Sequence, residues 1–461
     1  MTPDVTDLLN AYATGETDPV EAVDDALTRL KAAHEALNCT IAVLDDRARA
    51  AARESARRWA DGSARPLEGV PFGVKDVIDV AGVPTTQGSW NHGDTPASVS
   101  ATVVRRLEDA GAIPVSKDGT TEFAVGGPHP PRFGAVRNPW DPERWAGGSS
   151  TGSAAAVAAR AVPFALGTDV GGSVRLPSAW CGLTGLKPTS GAIPRTGVFP
   201  LSWTTETVGP LARSARDVAT LFAVLRGPDG ADPRTEPLPP LDVPARDDLT
   251  GLRIAVPGGA FTELCDAAVR AGVDHLVGEL AAAGAEVVPG EVPSAGDALP
   301  IGYQIVFTEA ATLHRVDAER WHTYDPVVVR RISQGIVTPA VDYLRALQFR
   351  VELQRELDAV FAGADLLVVP TCPSTAPRLP DGTVVVDGEE FPLYAAQSRS
   401  TMLGNLTGAP GLAVPTGLAP DGCPVSAQLV APPHREGLAL WAARVFQERT
   451  THHLQAPPSA R

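Results

Sequence analysis

Lysine is nearly missing from this chain. Among 461 residues it occurs only at positions 31, 75, 117 and 187, and the remaining basic Lys and Arg positions are all arginine. Arginine serves solubility and ion pairing but does not release its proton in a protein, whereas a desolvated lysine can act as a base. Each retained lysine is therefore a candidate for chemistry closed to arginine, against the plain alternative that chance leaves a few. Cysteine is scarce too: positions 39, 181, 265, 372 and 423 are odd in number, scattered, and without a Cys-x-x-Cys pair. That pattern reads as small buried hydrophobes in a reducing compartment and speaks against a disulfide framework or a zinc site.

Positive charge is in deficit. A formal net charge of −15 and a pI near 5.1 argue against nucleic acid or an anionic membrane as partner. No long apolar run exists: the longest, 154–166, is broken by Arg160 and Pro163 and is too short to span a bilayer. The first five residues lack the basic start and apolar stretch of a secretory signal. The histidines (34, 92, 129, 275, 314, 322, 434, 452, 453) show no His-x-x-x-His spacing and are assigned to surface or core. A cytoplasmic protein is expected, with no metal, no cofactor, no nucleic acid and no membrane contact.

Residues 1–62 predict a helical segment packed on the rest. Val5, Leu8 and Leu9, then Val20, Val23, Ala26, Leu27 and Leu30 recur at helical spacing, with Asp18-Pro19 as N-cap and first turn of the second helix. From about Leu67 short apolar runs alternate with glycine and proline. Strands are predicted at 70–74 and 112–115 with a helix at 103–110 between them, the alternation of an α/β sheet. Residues 228–249 read as a surface connection. Then come a strand at 252–256, a helix at about 262–283, a strand at 286–288, a mostly helical stretch at 295–362, strands at 366–370 and 413–415, and a closing helix at 437–448. The tail from Thr450 is expected to fray.

The densest chemistry lies between Arg144 and Pro188. Ser149, Ser150 and Thr151 precede an alanine-rich helix, so hydroxyls and free N–H groups gather at its N-terminus. A second loop, Gly171-Gly172-Ser173, follows a predicted strand at 164–167; its glycines let several N–H groups converge, as stabilising an oxyanion requires. The run Gly148-Ser149-Ser150-Thr151-Gly152 matches Gly-x-Ser-x-Gly, but the proline-broken 138–144 is not the strand that a nucleophile elbow needs. No Gly-Lys-Ser or Gly-Lys-Thr makes a P-loop. Residue chemistry alone leaves Lys75 and Lys117 equal, since both follow an apolar run.

The stretch 147–188 resembles the signature of the amidase signature family. Gly69-Val70-Pro71-Phe72-Gly73-Val74-Lys75-Asp76 resembles that family's lysine segment, and Ala409-Pro410-Gly411 through Leu429 its C-terminal core. The likeness implies an α/β amidase signature fold, a large mixed sheet covered by helices on both faces. It also implies one domain over 63–461: signature core 63–225, surface connection 226–250, a variable substrate-facing helical region at about 291–362, and C-terminal core 363–450. By the same resemblance Ser173 is the nucleophile, Ser149 the bridging serine after a cis peptide bond, and Lys75 the base. Backbone N–H groups of Val170, Gly171, Gly172 and Ser173 form the oxyanion hole, and Ser150, Asp169 and Arg175 fix the loops around them.

Such chemistry is reasonable physically. At pH 7 about one ordinary lysine in two thousand is neutral, and burial beside the apolar run 70–74 would raise that fraction steeply. The expected reaction is hydrolysis of a linear amide through an acyl-enzyme, with an apolar or aryl primary amide as substrate and Gly126, Gly127, Trp203, Tyr303 and Trp321 as pocket walls. The glutaminase subunit of a tRNA-dependent amidotransferase is the alternative, but that branch has glutamine after the signature arginine where Leu176 stands here. A binding-only member is the second alternative. The partner is a small-molecule amide, and family habit implies a homodimer.

Overall fold

In the computed structural model, which describes residues 3–91, 93–379 and 382–460, the N-terminal helices begin where their caps predict. His92 lies outside the described residues. In α1 (Val5–Thr14) the Asp4 carboxylate accepts from Asp7 N–H and the Asp7 side chain returns the bond; in α2 (Pro19–Leu37) Asp18 accepts from the N–H groups of Val20 and Glu21. Between α2 and α3 (Asp45–Ala60) lies a strand that the helical reading of 1–62 omitted, β1 (Thr40–Val43). It pairs antiparallel with residues 116–118, so this segment forms an edge of the main sheet as well as packing on it.

The other strands are β2 (Pro71–Lys75), β3 (Ile113–Asp118), β4 (Phe164–Asp169), β5 (Thr184–Lys187), β6 (Thr207–Ala212), β7 (Arg253–Ala255), β8 (Glu286–Val288), β9 (Leu366–Pro370), β10 (Thr383–Val386), β11 (Glu389–Pro392), β12 (Gly411–Leu418) and β13 (Pro424–Val430). All but the β10–β11 hairpin join one eleven-stranded mixed sheet in the order β1-β3-β2-β4-β6-β5-β12-β13-β9-β7-β8. At its functional end β2 runs parallel to both β3 and β4, while β6 closes antiparallel on β4. Side-chain alternation then builds two cores. Phe164 and Leu166 face one with Phe72 and Val74; Ala165 faces the other.

Helices cover both faces: α4 (Thr102–Asp109), α5 (Thr151–Ala158), α6 (Arg175–Cys181), α7 (Ala215–Leu225), α8 (Ala267–Ala282), α9 (Ala298–His314), α10 (Pro326–Val337), α11 (Ala340–Gly363), α12 (Leu393–Ala396), α13 (Met402–Thr407) and α14 (Glu436–Arg449). The helix expected from Thr262 starts later because a 3-10 turn, Gly259–Phe261, precedes it. The tail does not fray: the Leu454 carbonyl accepts from Arg160, and His452 meets His275 at 3.0 Å. Among the described residues no helix is long and apolar enough to cross a membrane, and all five cysteines are free and buried.

The alanine-rich α5 is buried on every side, which explains its composition: only small side chains let a helix approach a sheet and a neighbouring helix together. Its first turn is tightest. A Cβ on Gly152 would collide with the backbone of Cys39 and Gly119, and the Gly152 N–H donates to the Gly119 carbonyl at 2.8 Å. Gly152→Ala is therefore expected to cost about 1–3 kcal/mol or more through overpacking. A urea titration against wild type, with an unchanged m-value, checks this; an unaltered midpoint contradicts the packing account.

Candidate active site

The parallel strands β2, β3 and β4 bring their carboxyl ends to one edge, and the loops leaving them carry the predicted residues. Such crevices are where open α/β sheets bind ligands. Lys75 is the last residue of β2 and fully buried. Its Nζ donates to Ser149 Oγ at 2.7 Å and to Thr168 Oγ1, at the end of β4, at 2.8 Å. Ser149 follows a cis peptide bond from Gly148 and lies just before α5. Ser173 sits in the loop between β4 and α6, half-buried, and lines the same cavity as Ser149.

Contacts separate the lysines that sequence left equal. Lys117 is held in an ion pair with Asp76 at 3.1 Å and donates to the Ile78 carbonyl, while Lys31 is a surface partner of Asp45. Lys187 is buried and donates to the Pro188 carbonyl. Only Lys75 reaches a serine hydroxyl. Burial pushes the Lys75 ammonium down to about 7, opposed by the charges of Glu206 and Asp169. Burial likewise brings Lys187 to about 7, so the lowered value is shared and the serine contact is what distinguishes Lys75. Glu206, absent from the sequence reading, is fully buried, and burial raises its carboxyl to about 8. Near neutrality it is mostly uncharged, which weakens its pull on the Lys75 proton.

Asp169 and Arg175 clamp the two ends of the Ser173 loop. The guanidinium donates to both carboxylate oxygens at 3.0 Å, reaching onward to Asn405 at 2.7 Å and Gln428 at 3.1 Å. Against the burial that would raise it, the Arg175 charge holds the Asp169 carboxyl far below the usual carboxylate range. Asp169 also accepts from the N–H groups of Gly172 at 2.8 Å and Val174 at 3.1 Å. That corrects one expectation: the Gly172 N–H is spent inside the loop and cannot face an oxyanion. Among the described residues the N–H groups of Val170, Gly171 and Ser173 have no protein acceptor, and all three residues line the cavity. Ser150 ties the loops together, its N–H donating to the Ser173 carbonyl and its Oγ accepting from Thr168 N–H, both at 3.3 Å.

Of the predicted walls, Gly126 and Tyr303 line the cavity. Gly127 does not; its N–H is turned to Asp325 at 2.7 Å. Trp203 is 62% exposed, its carbonyl held by Arg195 while the ring points to solvent. Trp321 packs in the cluster around Phe123 and donates to the His314 carbonyl, away from the cavity. The sequence reading missed Thr121, Trp145, Arg331 and Gln397, all cavity-lining. In sequence Arg331 looks like one half of a surface Arg-Arg pair on an amphipathic helix, and nothing flagged it.

Known proteins resemble this chain over nearly its whole length. The amidase family model matches residues 21–440. An amidase of Pseudomonas putida is 38% identical over 459 residues, covering 96% of this chain and 95% of its own. A glutamyl-tRNA(Gln) amidotransferase subunit of Chloroflexus aggregans is 36% identical over 479 residues, covering 98% and 97%. A solved structure described as a vestigial protein complex bearing on the origins of an s-triazine catabolic enzyme superposes with a TM-score of 0.92 at 34% identity, covering 97% of this chain and 98% of that one. With a family model and relatives that run nearly end to end along it, this chain belongs to the amidase signature family of C–N hydrolases.

Proposed function

We propose that this protein hydrolyses small, polar, carboxylate-bearing amides through an acyl-enzyme on Ser173. The observation that carries the reaction is the 2.7 Å contact between a buried lysine brought near neutrality and Ser149, in the cavity that also holds Ser173. Neutral Lys75 takes the Ser149 proton as Ser149 takes that of Ser173, and the freed Oγ bonds to the amide carbon. The oxyanion is met by the N–H groups of Val170, Gly171 and Ser173. The proton returns through Ser149 to the amide nitrogen, the C–N bond breaks, and water later cleaves the acyl ester by the same relay. Leu176, where the amidotransferase branch carries glutamine, favours a free-standing amidase.

The substrate class rests on the walls. Arg331 Nη1 donates to the carbonyls of Val125 and Gly126, and its other N–H groups have no protein acceptor among the described residues. It has no salt-bridge partner there; Asp325 is committed to the N–H groups of Gly127 and Val327. The Arg331 guanidinium lies over the Phe307 ring at 5.7 Å, but a half-buried cation with no counter-anion is costly unless an anion joins it. Three further residues that line the cavity each carry a buried polar atom without a partner: Thr121 Oγ1, Trp145 Nε1 and Gln397 Oε1. Buried polar groups of this kind are satisfied by ligand or water. An acyl group ending in a carboxylate, on a chain rich in N–H and C=O groups, fits this set better than the apolar or aryl amide that sequence suggested.

Three outcomes are expected. Ser173→Ala loses on the order of 10⁴-fold or more in kcat, and a trapped acyl adduct seen by mass spectrometry in wild type is absent; turnover that survives the substitution contradicts the mechanism. Because neutral Lys75 is the active form, kcat/KM rises with pH through about 7 and falls tenfold per pH step below it, while Lys75→Arg is inactive at every pH. Arg331→Gln raises KM for carboxylate-bearing amides about 30-fold or more and leaves uncharged analogues nearly unchanged. Equal effects on both classes would remove the anion site from the proposal.

A further inference from the structure

Two consecutive residues that are not glycine, Phe123 and Ala124, hold left-handed backbone, with φ of 52° and 58°. Such conformations persist only where the surroundings over-determine them, and they gather at functional sites. The 3-10 turn Glu122–Ala124 belongs to a wall of the cavity, which Thr121, Ala124, Val125 and Gly126 line. Before the turn, the Thr121 N–H donates to the Ser149 carbonyl at 3.4 Å; after it, the carbonyls of Val125 and Gly126 accept from Arg331. Packing holds the middle: the Phe123 ring lies against His314 and Tyr324, with centroids 4.4 and 4.8 Å away.

Glu122 opens this turn, is wholly buried and does not itself line the cavity. Its Oε2 accepts from the Asp325 N–H at 2.5 Å. Asp325 is the N-cap of α10, and its carboxylate accepts from the N–H groups of Val327 and Gly127. The wall lies close on that cap: a Cβ on Gly126 would meet Asp325 Oδ2 at 2.9 Å and the Glu122 N at 3.0 Å. Arg331 stands in the second turn of the same helix. The Glu122–Asp325 bond therefore ties the carbonyls that Arg331 grips to the start of the helix that carries it. Stability does not account for an acid here. Glu122 Oε1 is buried without a partner, burial pushes the carboxyl up to about 7, and the Asp325 charge pushes the same way. A half-satisfied buried acid beside a like charge is costly. Its one directed bond is the one that sets α10.

We propose that Glu122 is a positioning residue for substrate selection, holding Arg331 at the cavity through Asp325. This rests on the reading of Arg331 as the site for a substrate carboxylate. The test is steady-state kinetics on succinamate and on butanamide, which puts a methyl where succinamate has its carboxylate. Glu122→Ala is expected to raise the ratio of the two KM values about 10-fold, the scale of one lost hydrogen bond to a charged group. Its kcat on succinamate should change by less than about threefold. Glu122→Asp keeps the charge but falls short of the Asp325 N–H, so it is expected to match the Ala variant and replaces it should Ala misfold. Glu122→Gln keeps the acceptor and is expected to restore the wild-type ratio. In an Arg331→Gln background Glu122→Ala should add no further loss, because it acts through that arginine. Equal changes for both amides, a Gln variant as defective as Ala, or additive losses overturn the proposal. An Arg331→Gln effect with no effect at Glu122 overturns this inference alone; no effect of Arg331→Gln overturns the anion site as well.

Discussion

The pairing of Asp169 with Arg175 is the constraint on which the site depends. Both side chains are fully inaccessible, and two charges are tolerated there only because every oxygen and most N–H groups are engaged. The pair joins the end of β4 to the start of α6, and the loop between them has no freedom to relax. Asn405 and Gln428 extend the hold to α13 and β13, several strands away in the sheet. The Ser173 loop is thereby fastened to the sheet from two directions, the preorganisation that the proposed oxyanion stabilisation demands.

That clamp also shapes the electrostatics beside it. Asp169 is an anion paired with Arg175, and its pull on the Lys75 proton is smaller than the effect of burial. Burial can then dominate and bring the lysine near neutrality. Thr168, one residue earlier on β4, supplies a neutral hydroxyl in place of a counter-charge. A carboxylate at that position would hold the ammonium in its charged form. The scarcity of lysine acquires a physical reading here: three of the four are buried, and while Lys117 meets the Thr85 hydroxyl, only Lys75 meets a serine hydroxyl, that of Ser149 in the cavity.

Much of this was legible in the sequence, for identifiable reasons. Caps such as Asp18-Pro19 and fully apolar strands such as Leu366–Pro370 are local signals, and they fell where expected. The strand Thr40–Val43 was missed because four residues between two strong helices carry no period of their own, and its pairing partner lies more than seventy residues away. The catalytic positions came from resemblance; Lys75 and Lys117 differ only in what faces them across the fold. The walls were hardest. Aromatic character does not say which way a ring turns, so Trp203 and Trp321 were assigned to a cavity that neither reaches. Conversely Arg331 and Gln397 reach it without any local mark. The loss of the Gly172 N–H to Asp169 is likewise a matter of loop geometry that glycine content alone does not encode.

The division of the hydrophobic clusters has an evolutionary consequence. Lys75 and Ser149 lie at the ends of the strands that two cores sandwich, whereas Val306 and Phe307 belong to a cluster drawn mostly from α9 and α10, and Tyr303 packs against that cluster and one built largely from α11 and α13. Replacements in that outer layer spend their packing energy away from Lys75 and Ser149. Selection can therefore rework these walls in steps that leave Lys75 and Ser149 in place, and a duplicated copy can change the shape of its cavity without first losing that contact.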